Sequence, residues 1–168
     1  MTKIYWTSFL LLGIVICLPT SSCLAHAPSL PLISVGGGIF NATRVHHRST
    51  LFQFEYRTRY RFFEMFAPIG GFFITSKAST YVYGGFGFDL QIGKRISIFP
   101  SIVMGLYAKG YGKDLKFPLE FKSTIECAYI FENQSRIGLQ ISHISNASIS
   151  DPNPGAESLS IVYVFPLN

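Results

Sequence analysis

Near the end of the chain, the stretch HISNASISDPNPGAES gathers a histidine, a serine and a glutamate in a segment rich in Asn, Asp, Pro and Gly. His143, Ser145 and Glu157 are the residue types of a serine hydrolase. In such a site the imidazole takes the serine proton, and the carboxylate fixes the imidazole tautomer and stabilises the imidazolium. A nearby donor then stabilises the tetrahedral oxyanion. Asn146, directly after Ser145, offers a side-chain amide and a backbone N–H for that task. Residue types alone decide little, because His-x-Ser is common and SDPNPG suits any exposed turn. The question is whether the three side chains share a face.

The elements that would position them read with period two. In SRIGLQISHIS, Ile137, Leu139 and Ile141 alternate with Arg136, Gly138, Gln140 and Ser142, so His143 and Ser145 continue the apolar face. In ESLSIVYVF, Glu157 begins the series Leu159, Ile161, Tyr163 and Phe165. Same-face residues of adjacent antiparallel strands approach each other near a hairpin. Parity therefore puts all three polar groups on one apolar wall at the end of the last hairpin.

Similar alternation runs through LFQFEYR, with Phe52, Phe54 and Tyr56 opposite Gln53, Glu55 and Arg57, and through EFKSTIECAY, with Phe121, Ile125, Cys127 and Tyr129 opposite Glu120, Lys122, Thr124 and Glu126. Less regular segments near 31–41, 62–75, 80–92 and 95–108 bring the count to eight. Alternation does not by itself separate a soluble sandwich from a membrane barrel, which turns its apolar face to lipid. Charged residues make up 14% of the chain and aromatic residues 15%, with positive mean hydropathy. No run beyond the N-terminus reaches the roughly 18 apolar residues of a membrane helix.

The connections favour the barrel. NATRVHHRS, KGYGKDLKFP and the Asn/Pro loop near 146–155 are long and lie on one side, together with the short SKAS. The other side carries RYR, GKR and ENQS. Long loops on one side and tight turns on the other mark an outer-membrane barrel with periplasmic termini. The expected fold is thus all-β, an eight-stranded antiparallel transmembrane β-barrel with Glu55, Arg57, Glu120, Lys122 and Glu126 inside.

Residues 1–25 have the three-part pattern of a secretory signal peptide: Lys3, the apolar FLLLGIVICL, then small residues up to Ala25. The barrel domain is expected over 26–168. Losing the leader removes Cys17 and Cys23, leaving Cys127 with no internal disulfide partner. The net charge of +5 suits an anionic partner. The adjacent His46 and His47 make a poor metal site, and VGGGIF and FGFDLQIG lack the helix a phosphate loop needs. Nothing points to nucleic acid.

HISNASISDPNPGAES closely resembles the signature of the PagL-type lipid A 3-O-deacylases. Their last hairpin carries His-x-Ser-Asn-Ala followed by an Asn-x-Gly-x-Glu-Ser-like end. The match includes the two-residue step from His143 to Ser145, the run Ser145–Asn146–Ala147, and the step from Ser145 to Glu157. The rest of the chain shares mainly length, leader and strand pattern.

The resemblance implies a bacterial outer-membrane esterase that removes the 3-hydroxyacyl chain at position 3 of lipid A. It implies Ser145 as nucleophile, His143 as base and Glu157 as orienting acid, with no metal or cofactor. Asn146 matches the oxyanion position and Asn153 a supporting loop residue. One departure is Ser148, where the family pattern has glycine. The substrate's phosphates would prefer basic partners, and Arg44, Arg48, Lys77, Lys109, Lys113 and Lys116 are the candidates in the extracellular loops. A homodimer is compatible with the pattern. The competing readings are a structural or adhesive barrel without enzyme activity, and a soluble lipid-binding barrel.

Overall fold

The computed structural model describes residues 30–63 and 65–167; the expected leader lies outside them. Nine strand segments make eight staves. In order they are β1 (Leu32–Phe40), β2 (Ser49–Arg57), β3 (Phe66–Thr75), β4 (Thr80–Phe88), β5 (Leu90–Ile92), β6 (Ile96–Ala108), β7 (Leu119–Ile130), β8 (Arg136–Ser145) and β9 (Ala156–Pro166). Each stave pairs antiparallel with its chain neighbour, and β1 pairs with β9 from Leu32↔Pro166 to Phe40↔Ser158, which closes the barrel. β4 and β5 both pair with β6 and form one stave broken at Asp89.

Among the described residues closure pairs the long strands on both sides, as an all-β crossing of hydrocarbon requires, and only the short β5 is paired on one side. The outward residues are apolar: Phe52, Val82, Ile102, Leu106, Leu139 and Ile161 are all more than half exposed. The inward residues carry the charge. Arg57 donates through Nε to Glu55 Oε1 at 2.9 Å, and through Nη1 and Nη2 to Glu126 at 3.1 and 2.5 Å. Tyr83 donates to the second Glu55 oxygen at 3.0 Å, and the Arg57 guanidinium lies 3.9 Å from the Phe99 ring centroid. Nearer the termini, Arg136 grips both oxygens of Asp89 at 3.0 and 2.9 Å. The charged interior expected from alternation is present.

Two features depart from the sequence-based picture. Toward the extracellular end the interior is apolar, filled by Phe40, Leu51, Phe73, Tyr81, Tyr107 and Leu115. This plug is why β1, β4 and β6 alternate weakly: both of their faces are apolar there. The third stave begins at Phe66 rather than 62. Phe62 and Phe66 instead exchange backbone hydrogen bonds at 2.9 and 3.0 Å in a turn, with Phe63 at φ 48°. The β2–β3 connection is therefore longer than the RYR turn expected from sequence.

Candidate active site

The last hairpin pairs His143 directly with Glu157 across β8 and β9, on the one face that parity predicted. His143 Nδ1 lies 3.4 Å from Glu157 Oε1, and both side chains are partly exposed on the outer wall. Ser145 is two positions along β8 on the same face and pairs with Phe121 of β7. It is the last residue of the strand, so the group sits at the extracellular end of the lipid-facing band. Polar side chains are tolerated on such a wall near the interface or with partners: all three lie at the strand end, and His143 and Glu157 face each other.

Glu157 is held from the other side by a residue the sequence did not single out. Thr43, in the β1–β2 loop, donates its hydroxyl to Glu157 Oε2 at 2.5 Å, while Ala42 N–H donates to the Glu157 carbonyl at 2.9 Å. With one oxygen on Thr43 and the other facing His143, the carboxylate has a fixed orientation. Thr43 is the last residue of the NAT tripeptide, a glycosylation-type sequence that says nothing of an active site. Loop residues carry no periodic signal, so only the three-dimensional arrangement reveals it. Thr43→Val is expected to lower turnover about fivefold, the scale of one exposed hydrogen bond to a charged acceptor, without unfolding the barrel. Steady-state kinetics on the purified protein would show it.

The loop between β8 and β9 runs beside the site. Asn146 turns its side chain into the barrel, fully buried, and neither amide atom finds a hydrogen-bond partner among the described residues. Its backbone N–H is taken by Asn153 Oδ1 at 3.1 Å. Asn153 thus has its carbonyl oxygen anchored and its two amide hydrogens available on the exposed side. Ala147 and Ser148 both lie in the left-handed region, at φ 52° and 63°. That is the backbone glycine adopts without cost, which accounts for glycine in the family pattern where Ser148 stands.

Gly155, at φ 47°, packs on the imidazole. A Cβ there would come within 2.9 Å of His143 Cε1 and 3.3 Å of Nε2.

The six loop cations divide. Lys109 and Lys116 remain exposed and share Asp114 at 3.1 and 3.5 Å; the Lys116 backbone N–H and the Lys109 ammonium hold the Asp114 carboxyl below its usual value. Arg48 donates to the Ala42 carbonyl at 2.7 Å. Arg44 is exposed and Lys77 half-buried in the same extracellular loops. Lys113 is not offered to an external phosphate. Its side chain is buried, with Nζ directed at Asn41 Oδ1 at 2.9 Å and at the Gly155 and Pro154 carbonyls. Sequence placed it in a basic loop; the buried acceptors in adjacent loops draw it inward.

On the outer wall a groove of about 940 Å³ is lined by Phe62, Phe66, Phe86, Pro100, Ile102, Ser123 and Ile125. Its Ser123 edge pairs directly with His143, so the groove begins beside the imidazole.

Comparison with known proteins bears on the fold and the family. The crystal structure of the outer membrane enzyme PagL superposes with a TM-score of 0.57 at 20% identity, covering 81% of this chain and 99% of that one. A de novo designed transmembrane β-barrel superposes with a TM-score of 0.59 at 8% identity, over 84% and 98% of the two chains. These likenesses concern the fold. In sequence, the lipid A deacylase PagL of Bordetella bronchiseptica is 37% identical over 46 residues, 27% of this chain and 26% of the relative, so the match spans about a quarter of that relative's length. The model of the family described as lipid A 3-O-deacylase (PagL) matches residues 78–166, more than half of the chain and the whole of the hairpin that holds His143, Ser145 and Glu157. The chain belongs to the lipid A 3-O-deacylase (PagL) family.

Proposed function

We propose that this outer-membrane barrel is a serine esterase that hydrolyses the ester-linked 3-hydroxyacyl chain at position 3 of lipid A. The observation that carries the reading is the His143–Glu157 pair, 3.4 Å apart on the lipid-facing wall with Ser145 on the same face. A substrate anchored in the outer leaflet surrounds the barrel, so a nucleophile on the lipid-facing wall meets it directly.

Ser145 Oγ attacks the ester carbonyl while His143 takes its proton, and Glu157 stabilises the imidazolium. Among the described residues no hydrogen bond joins Ser145 Oγ to His143, and such bonds are commonly made only once substrate is bound. The oxyanion meets the Asn153 amide, whose other end the Asn146 N–H restrains. Collapse breaks the bond to the sugar 3-oxygen, which takes the proton from His143 and leaves as the free 3-hydroxyl. Water, deprotonated by His143, then releases the 3-hydroxy fatty acid and restores Ser145. In this reading Arg44, Lys77, Lys109 and Lys116 meet the phosphates at the rim. A processed leader ending at Ala25 would deliver the chain for export.

The groove that begins at Ser123 suits the apolar acyl chain, and its volume is in the range of a ligand site. Ile125→Trp should fill it, slowing release of long chains at least tenfold while leaving short-chain esters nearly unaffected. A uniform loss across chain lengths would count against the groove. The function itself is tested by incubating the purified barrel with lipid A in detergent and identifying the acid set free. Release of one ester-linked 3-hydroxy acid from position 3 supports it; an intact lipid A with a folded barrel would instead favour the non-enzymatic structural reading.

A further inference from the structure

The basic loop residue that turns inward has a more definite place than its neighbours. We propose that Lys113 is a positioning residue for the deacylation, its ammonium tying together the two loops that brace His143 and Glu157. This rests on the esterase reading above and adds to it a residue that touches neither substrate nor triad.

The argument begins with what a lysine ammonium needs. It has three N–H donors and no acceptor, so burying it is costly unless each donor is matched. Lys113 is 6% exposed, and three oxygens face its Nζ: Asn41 Oδ1 at 2.9 Å, the Pro154 carbonyl at 3.5 Å and the Gly155 carbonyl in closer contact. The tie is anchored from behind, because Tyr107 donates its hydroxyl to the Lys113 carbonyl at 2.7 Å and Tyr107 itself belongs to the apolar plug. Burial pushes the Lys113 ammonium below its usual value, and the Glu157 carboxylate acts in the opposite sense.

Each end of the tie leads to the site. Asn41 opens the loop whose next two residues hold Glu157, Ala42 through its N–H and Thr43 through its hydroxyl. Gly155 lies against the imidazole, close enough that a Cβ would collide with Cε1. It also ends the loop that carries Asn153. One cation thus sets the spacing between the brace on the acid and the brace on the base. With it removed, both loops are free to shift by the fraction of an ångström on which turnover depends.

A positioning role and a phosphate-contact role give opposite kinetics. The experiment compares wild type with Lys113→Met on two substrates, purified lipid A and an uncharged p-nitrophenyl ester. Folding is checked by the heat-modifiable gel mobility of barrels. The positioning role predicts a ten- to hundredfold fall in kcat on both substrates, with KM for lipid A changed less than about threefold. Lys113→Arg, which keeps the charge and the donors, should recover part of the rate. The proposal is overturned if the p-nitrophenyl rate is unchanged and only KM for lipid A rises, since that is the signature of a phosphate contact.

It is also overturned if Lys113→Met matches wild type throughout. Should Lys113→Met not insert, Lys113→Gln, which retains two donors, takes its place with the same opposing outcomes. A wild-type barrel that is folded but hydrolyses neither substrate would sink the esterase reading itself, a result distinct from failure of the lysine's role.

Discussion

A His143→Ala barrel, folded and inserted, is expected to lose on the order of 10⁴-fold or more in kcat for ester hydrolysis, with little change in KM. His143 is asked to do two things that no neighbour can do. In the proposed mechanism it accepts the Ser145 proton during attack, and it returns a proton to the sugar oxygen as the ester breaks. Glu157 sits at its Nδ1, so the proton-transferring nitrogen is Nε2. Gly155 packs along that edge of the ring and keeps it in place. Ser145→Ala should be as severe, and the double variant scarcely worse than either, because the groups act as one unit. Comparable turnover by wild type and His143→Ala would show that the hairpin is not the catalytic element. The assay uses a soluble ester and a folded-barrel control, so loss of insertion is not mistaken for loss of chemistry.

The second large effect concerns stability. Glu126→Ala is expected to destabilise the barrel by about 3 to 5 kcal/mol, because it strips the buried Arg57 guanidinium of two hydrogen bonds. Glu55 remains on Nε, but one carboxylate already shared with Tyr83 does not satisfy the whole guanidinium. Gln140, which also reaches Glu126 at 3.4 Å, loses a partner too. Leu139→Ala on the outer wall is the contrasting change. Lipid tails are as apolar as leucine and can refill the space, so the cost should be much smaller. Denaturant titrations in detergent, followed by gel mobility, measure both. Equal midpoints for Glu126→Ala and wild type would mean that the charged network does not hold the staves together.

The stretches where the sequence was most informative are those where the two strand faces differ in chemistry. Along most of β7 and β8, charged or polar inner residues alternate with largely apolar outer ones, so the face occupied by His143 follows from counting. β1, β4 and β6 were harder. Glycines and the aromatic plug make both faces apolar there, and at the break between β4 and β5 Asp89 meets Arg136 inside, a contact distant in sequence. Within the site, the pairing of His143 with Glu157 was legible because strand parity carries it. Thr43 and Lys113 were not, since each reaches the site from another loop by a tertiary contact. Asn146 was misleading for a related reason. Adjacent to Ser145 in sequence, it points to the opposite face and gives its N–H to Asn153.

The most direct test of the account is the mass profile of lipid A from a host that makes this protein, set beside the same host making Ser145→Ala at equal outer-membrane levels. The account predicts that wild type alone shifts lipid A by the mass of one 3-hydroxyacyl chain, and that fragmentation places the vacancy at position 3. Identical profiles from the two, in a host whose lipid A carries that ester and with purified wild type equally inert, would contradict it.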